Sequence, residues 1–169
     1  FSGVVQVVVV ARDYERSLSN NQTFTLAIGA ENDAPTMAAV NDLVINEDAS
    51  DVRVDLTGIT AGGDETQPLR VTASSSNTDL IANPVVIYTT AESIGSIKFT
   101  PVLDAHGSAV ITVMVEDGGL DGDLSTAGDN LTHSETFTVT VSPVNDLPTL
   151  AAMSNLAIDE DAAEQTINL

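Results

Sequence analysis

Side chains that end in oxygen recur along this sequence at a fixed distance. The segment Asn-Asp-Ala-Pro-Thr at 32–36 returns 113 residues later as Asn-Asp-Leu-Pro-Thr at 145–149. The segment Ile-Asn-Glu-Asp-Ala at 45–49 returns at the same spacing as Ile-Asp-Glu-Asp-Ala at 158–162. Carboxylate and amide oxygens are ligands that hard cations such as calcium take in proteins. The chemistry open to these residues is therefore cation binding, and the shared spacing indicates an array of equal modules.

The repeat predicts three parts of the chain. One complete module spans about residues 34–146, which is long enough for a hydrophobic core of its own. We expect residues 1–33 to be the C-terminal strands of a preceding repeat and residues 147–169 to be the first strands of a following one. Neither flank is long enough to bury a core alone. The expected partners are therefore neighbouring repeats of the same chain.

The charge of the chain excludes several classes of function. There are 25 acidic residues against 5 basic ones, a formal net charge of −20. Such a surface argues against binding to nucleic acid and to anionic membranes, since both depend on Lys and Arg. It fits a soluble extracellular protein, a salt-adapted surface or a cation binder. Cysteine is absent, which excludes disulfides and thiolate metal sites, and no apolar run is long enough to insert into a membrane.

Alternation of apolar and polar residues dominates the complete module, as in half-buried strands. It predicts seven strands near 40–46, 51–57, 69–75, 84–89, 95–100, 109–116 and 134–142, with turn-forming residues between them. No segment has a sustained helical period. We therefore predict an all-β fold, a seven-stranded Greek-key β-sandwich in a tandem array. The predicted core residues are Val54, Leu56, Val71, Ile87, Ile97, Phe99, Ile111, Val113, Val115, Phe137, Val139 and Val141.

The loop before the last predicted strand is longer in the complete module than in the preceding partial one. Asp13 lies 19 residues before Asn32, whereas Asp117 lies 28 residues before Asn145. The nine extra residues fall within 118–132. This loop contains Asp-Gly-Asp-Leu-Ser at 121–125, which echoes the start of a calcium loop but lacks the glycine and the closing glutamate of that motif. A metal site and a solvated loop are both open interpretations.

Several short motifs follow one another in order along the chain. Ala-Arg-Asp at 11–13 is followed by Leu-Ser at 18–19, and Val-Glu-Asp at 115–117 stands at the matching place of the complete module. Ile-Asn-Glu stands at 45–47 and Leu-Asp-Ala-His at 103–106. Together with the two Asn-Asp-x-Pro segments, this set resembles the cadherin superfamily, in particular the cadherin-like repeats of large bacterial surface proteins. The resemblance implies an Ig-like or cadherin-like sandwich.

The resemblance also implies calcium ions at the joints, shared between one domain, the linker and the next domain. Carried over to this sequence, the ligands of the first joint are Asn32, Asp33 and Asp117, with Asp64 and Glu65 as looser candidates. Those of the second joint are Glu47, Asp104, Asn145 and Asp146.

The sequence departs from the family pattern in ways that bear on these sites. Ala30 and Pro143 stand where the family has an acid two positions before the linker Asn, and His106 replaces the family's second acid. An Asn-Asp-x-Pro linker is also a good turn, since Asn and Asp side chains bond to the nearby backbone and Pro fixes φ. Calcium binding and a purely structural turn are therefore both open.

We predict a structural spacer module of a long secreted or cell-surface protein, such as an adhesin stalk or an extracellular filament, with joints stiffened by calcium. No catalytic constellation is evident, because His106 and His133 both lie near loops without a matching nucleophile, and we expect no enzyme activity. One alternative is a carbohydrate- or protein-binding module that uses loop 118–132. Another is a filament subunit that assembles with other copies, with the Val run at 7–10 buried on both faces.

Overall fold

The computed structural model describes residues 2–15, 19–63 and 65–167, and within them the regular elements are all β-strands. Among the described residues, two strands lie before residue 34 and seven lie within 34–146, where seven strands were predicted. The strands are β1 (Gly3–Arg12), β2 (Ser19–Ile28), β3 (Leu43–Asn46), β4 (Val52–Thr57), β5 (Leu69–Ser75), β6 (Val85–Ile87), β7 (Ile94–Phe99), β8 (Gly107–Asp117) and β9 (Thr132–Ser142).

The seven strands of the complete module divide between two sheets. One sheet has the order β3-β9-β8-β5 and the other has the order β4-β7-β6. β3 pairs with β9 in parallel, while the other pairs in both sheets are antiparallel. The prediction of an all-β, sandwich-like fold is confirmed.

The core lies between the inward faces of the two sheets. Along β8 the residues Ile111, Val113 and Val115 are fully buried, and each is separated from the next by an outward-facing residue. Leu56 and Ile97 face them from the smaller sheet and are also fully buried. Branched side chains suit this arrangement because they are stiff and pack well on a pleated surface.

Ile87 is the one predicted core residue that is wrong. Its side chain is 46% exposed, whereas the neighbouring Val86 packs against the core. The segment 85–87 is apolar throughout, so its sequence has no alternation from which the inward face could be read. Val54 packs at the edge of the core, and the other ten predicted residues are buried. Buried apolar residues in loops, such as Met37, Ile59 and Ile81, were not predicted.

The direction of the strands defines two ends of the sandwich. β8 runs for 11 residues from Gly107 to Asp117, a distance of about 34 Å for an extended strand. Asp117 and the start of β9 lie at one end. The start of β8, the end of β3 and the end of β9 lie at the other, since β3 and β9 are parallel to each other and antiparallel to β8.

The flanks are a hairpin and an exposed segment. β1 and β2 pair over their full length, and apolar residues of the hairpin such as Val8 and Phe24 are more than half exposed. Residues 147–167 contain no strand and are exposed. That the two flanks belong to a preceding and a following repeat stays a prediction. None of the described residues forms a helix long and apolar enough to cross a membrane.

Candidate functional site

The predicted ligands gather at the two ends of the sandwich. We call the first group, around the end of β8, the Asp117 end. We call the second group, around the end of β3, the Asp146 end. Both are built from loops and linkers that meet where strands begin or stop. Asp64, a looser candidate of the first joint, lies outside the described residues.

Asp117 is the last residue of β8, and its side chain is fully buried. Its Oδ1 atom accepts hydrogen bonds from the amides of Gly119 and Leu131, both at 2.9 Å, and from Asn32 Nδ2 at 3.1 Å. Its Oδ2 atom is buried and has no hydrogen-bond partner among the described residues. A buried carboxylate oxygen without a partner costs free energy, and a cation could offset that cost.

Asn32 lies in the first linker, the segment between β2 and β3, and its side chain bonds this linker to the sandwich. Besides its bond to Asp117, its Nδ2 atom donates to the carbonyl oxygen of Asp129 at 2.9 Å. Its Oδ1 atom accepts from Gln67 Nε2 at 2.6 Å, and the same nitrogen donates to Glu65 Oε2 at 2.7 Å. Gln67 Oε1 is a second buried oxygen without a partner. The Asp117 end therefore brings together oxygens from the first linker, the end of β8, the loop after β4 and loop 118–132.

Asp33 lies against the loop that follows β4. Its amide donates to Glu65 Oε2 at 3.2 Å. The loop approaches the linker so closely that a side chain on Gly62 would overlap the carbonyl oxygens of Asp33 and Ala34, and Gly62 has φ +94°. Glycine is the residue that accepts both conditions. Asn32, Asp33, Glu65 and Asp117 are thus linked by hydrogen bonds at one end, while Gln67 and the Asp129 carbonyl were missed as members of it.

The Asp146 end holds a group of three carboxylates. One oxygen from each of Asp48, Asp104 and Asp146 lies within 4.8 Å of the others, and all three residues are exposed. The pKa of Asp146 is raised above its ordinary value, first by the negative charge of Asp48, then by loss of water and by the charges of Asp104 and Glu47. Such a group could hold a metal ion, because carboxylates brought together repel unless a cation lies between them.

Glu47 connects the end of β3 to the second linker, the segment that follows β9. Its side chain is 5% exposed, and its Oε1 atom accepts from the Val144 amide at 2.8 Å. Its Oε2 atom lies 3.6 Å from His106 Nδ1. Asn145 donates to the carbonyl of the adjacent Asp146 at 3.3 Å, so its amide is engaged locally. Asp48 was missed as a candidate, although its repetition as Asp161 was a signal that could have found it.

The carboxylates of loop 118–132 accept hydrogen bonds from the backbone of the same loop. Asp121 Oδ1 accepts from the Asp123 amide at 2.9 Å, and Asp123 Oδ1 accepts from the Ser125 amide and hydroxyl at 2.9 and 2.7 Å. These hydrogen bonds from Ser125 lower the pKa of Asp123. Asp129 Oδ2 accepts from the Leu120 amide at 2.7 Å. The loop is thus a series of turns in which side chains hold the backbone.

Comparisons with known proteins give structural similarity only. No family model and no curated protein matches the sequence. The crystal structure of the S-layer protein SbsC domains 4 and 5 is similar, with 19% identity, a TM-score of 0.39, and coverage of 83% of this chain and 59% of that one. The crystal structure of the S-layer protein rSbsC(31-844) is similar at 17% identity and a TM-score of 0.40, covering 84% of this chain and 17% of that one. The chain thus spans less than two thirds of either structure.

Proposed function

We propose that this chain is a spacer of a long secreted or cell-surface protein, in which β-sandwich repeats are joined by linkers that calcium stiffens. The repeated motifs at fixed spacing and their cadherin-like order support a tandem array. The proposal adds that the ion would bind where each linker meets a sandwich.

One observation carries the proposal, the fully buried Asp117 with its unpartnered Oδ2 atom. A turn that needed only an acceptor for backbone amides would be satisfied by Oδ1 alone. The second oxygen is buried beside a linker residue, Asn32, that bonds to the same carboxylate. A cation there would neutralise the buried charge and bind the linker to the sandwich at the same time.

The donors at the Asp117 end fit calcium by their chemistry. Calcium takes six to eight oxygen ligands from carboxylates, side-chain amides and carbonyls. Asp117, Glu65 and Asp33 would supply carboxylate oxygens, and Asn32 and Gln67 would supply amide oxygens. The three carboxylates do not lie within 4.8 Å of one another in the way that those of the Asp146 end do, so a bound ion would have to draw them together. When bound, the ion would supply positive charge between these groups. The hydrogen bonds already described hold the linker in place around the ion.

The Asp146 end supports the proposal in a different way. Its three exposed carboxylates come from the end of β3, the loop before β8 and the second linker. A cation shared by them would cross-link these three segments. The linker is also tied down without an ion, through the bond from the Val144 amide to Glu47.

Calcium-dependent melting tests the proposal. Calcium binds only the folded form, so it stabilises by an amount set by its concentration relative to the dissociation constant. For dissociation constants of about 10⁻⁴–10⁻³ M, typical of extracellular modules, roughly 5 mM calcium raises the free energy of unfolding by about 1–2 kcal/mol per site. Melting of the 169-residue chain in calcium and in chelator measures this difference, and magnesium serves as the control for ion size.

The variant Asp117→Asn distinguishes calcium binding from the structural role of Asp117 in the turn. The variant keeps an oxygen for the amides of Gly119 and Leu131 but removes the charge and the free carboxylate oxygen. We expect its melting temperature in chelator to equal or exceed that of the parent chain and its response to calcium to shrink. Asp55→Asn, at an exposed acid within β4, is the matched control and keeps the full response. Identical melting curves in calcium and chelator for the parent chain would falsify the calcium mechanism.

A further inference from the structure

The outer face of the three-stranded sheet differs in charge from the rest of the chain. Arg53 on β4 lies opposite Lys98 on β7, and Lys98 lies opposite Val85 on β6. By the alternation of strands, these side chains point away from the core. We define this outer face by six residues: Arg53, Asp55, Val85, Ile87, Ile94 and Lys98.

The face carries more positive than negative charge in a chain of net charge −20. The complete module contains three basic residues, and two of them are the cross-strand neighbours Arg53 and Lys98. The acid on the face is Asp55, which pairs with Arg53 at 2.9 Å. The third basic residue, Arg70, lies on the other sheet and pairs with Glu116. A strongly acidic chain thus presents one sheet face that attracts acidic groups.

The same face exposes large apolar side chains. Val85, Ile94 and Ile87 are 66%, 63% and 46% exposed. Between them lies Ser96, which is 1% exposed and whose hydroxyl has no hydrogen-bond partner. Basic groups beside exposed branched residues favour a partner that is both acidic and apolar.

Loop 118–132 has this complementary character. Asp121 and Asp123 are exposed, and Leu120 and Leu131 of the same loop are 53% and 39% exposed. The side-chain hydrogen bonds within the loop hold it in one arrangement, which lowers the entropy cost of binding. The loop is also where the complete module is nine residues longer than the partial one.

We propose that the outer face of the three-stranded sheet binds loop 118–132 of a second copy of this chain. The acids of the loop then meet Arg53 and Lys98, and its leucines cover Val85, Ile87 and Ile94. The two surfaces are different, so the contact is heterologous and each copy has one of each to offer. Such contacts extend into open assemblies unless the rotation closes a ring. The proposal goes beyond the calcium-stiffened joint, because it concerns contacts between chains and not along one chain.

Sedimentation of the 169-residue chain over a range of protein concentrations tests the proposal. We expect the associated fraction of the protein to rise as the protein concentration approaches about 1 mM, the range of weak and transient contacts. Lys98→Glu places like charges in the contact and should weaken association at least tenfold. Arg12→Glu changes the net charge equally but lies on β1, outside the complete module, so it should leave association unchanged.

Mixing two variants distinguishes this contact from a symmetric one. The double variant Asp121→Asn, Asp123→Asn keeps an oxygen for the backbone amides of Asp123 and Ser125. It removes the charges of these two acids and leaves that of Asp129. Neither it nor Lys98→Glu should associate alone, yet an equal mixture should form one-to-one pairs, since each variant supplies the surface that the other lacks. A monomeric parent chain, equal effects of Lys98→Glu and Arg12→Glu, or a mixture that stays monomeric overturns the proposal. Repeating the measurements in chelator separates this result from any failure of the calcium sites.

Discussion

The two ends of the sandwich use the same residue types in opposite surroundings. At the Asp117 end, a carboxylate is fully buried, receives three hydrogen bonds on one oxygen and leaves the other without a partner. At the Asp146 end, three exposed carboxylates lie together, and their repulsion raises the pKa of Asp146. A cation would complete an existing network at the first end, whereas at the second it would relieve repulsion. Burial therefore decides what a bound cation would contribute at each end.

Asp117→Ala is the change with the largest expected effect and tests whether the Asp117 end is structural even without an ion. It leaves the buried amide of Gly119 and the partly buried amide of Leu131 without their acceptor, at a cost of about 3 kcal/mol in the free energy of unfolding. Denaturant unfolding in chelator measures this loss.

Asp48→Ala is the counterpart of this change at the Asp146 end. Because Asp48 is exposed, the substitution should change stability in chelator by less than about 1 kcal/mol. Equal losses in the two variants would contradict the distinction between a buried end and an exposed end.

Gln67→Glu adds a negative charge to the Asp117 end and so tests how that end differs from the Asp146 end. The amide nitrogen of Gln67 now holds the oxygens of Asn32 and Glu65 at 2.6 and 2.7 Å. A carboxylate in its place removes both bonds and adds repulsion, so the variant should lose about 1–2 kcal/mol in chelator. A fourth acid should in turn bind calcium more tightly, so calcium should recover most of the loss. Calorimetric titration measures the affinity, and Gln165→Glu in the exposed C-terminal segment is the control.

Asp146→Asn has the smallest expected effect and depends on pH. The pKa of Asp146 in the folded chain lies above its ordinary value of 3.8, so the unfolded chain releases this proton first. Stability from this group is full below pH 3.8 and falls as the pH rises through the raised value. In chelator the variant should therefore melt slightly higher than the parent chain at neutral pH, with no advantage at pH 3.

Calcium should reverse the order of the two chains at neutral pH, since it favours the ionised carboxylate that the variant lacks. Melting curves at both pH values, with and without calcium, measure the change. An advantage of the variant that persists in calcium shows that no ion binds at this end.

The strands could be predicted from sequence because their signal is local. β5 was predicted with its observed bounds, 69–75, since apolar and polar residues alternate along it. Ile87 was misplaced because its strand is apolar at every position. Ile59 and Ile81 were missed because they are buried in loops, where no periodicity marks the inward face.

The candidate ligands could be predicted only in part, because their assembly depends on contacts distant in sequence. Asn32 and Asp117 are 85 residues apart and were found through their place in repeated motifs. Gln67 and the Asp129 carbonyl belong to no repeated motif, and their hydrogen bonds to Asn32 form only when the loops fold over the linker. Asp48 lay within a repeated motif, but its approach to Asp104 follows from the turn after β3.

The parallel pairing of β3 with β9 has a mechanical consequence. The chain enters the sandwich near Asn32 at one end and leaves near Asp146 at the other, so tension along the chain pulls β3 and β9 in opposite directions. The hydrogen bonds between Leu43–Asn46 and Val139–Ser142 lie across that tension and are loaded together in shear. They must break as a group before either strand can slide. The first and last strands of the sandwich thus form a clamp that resists extension.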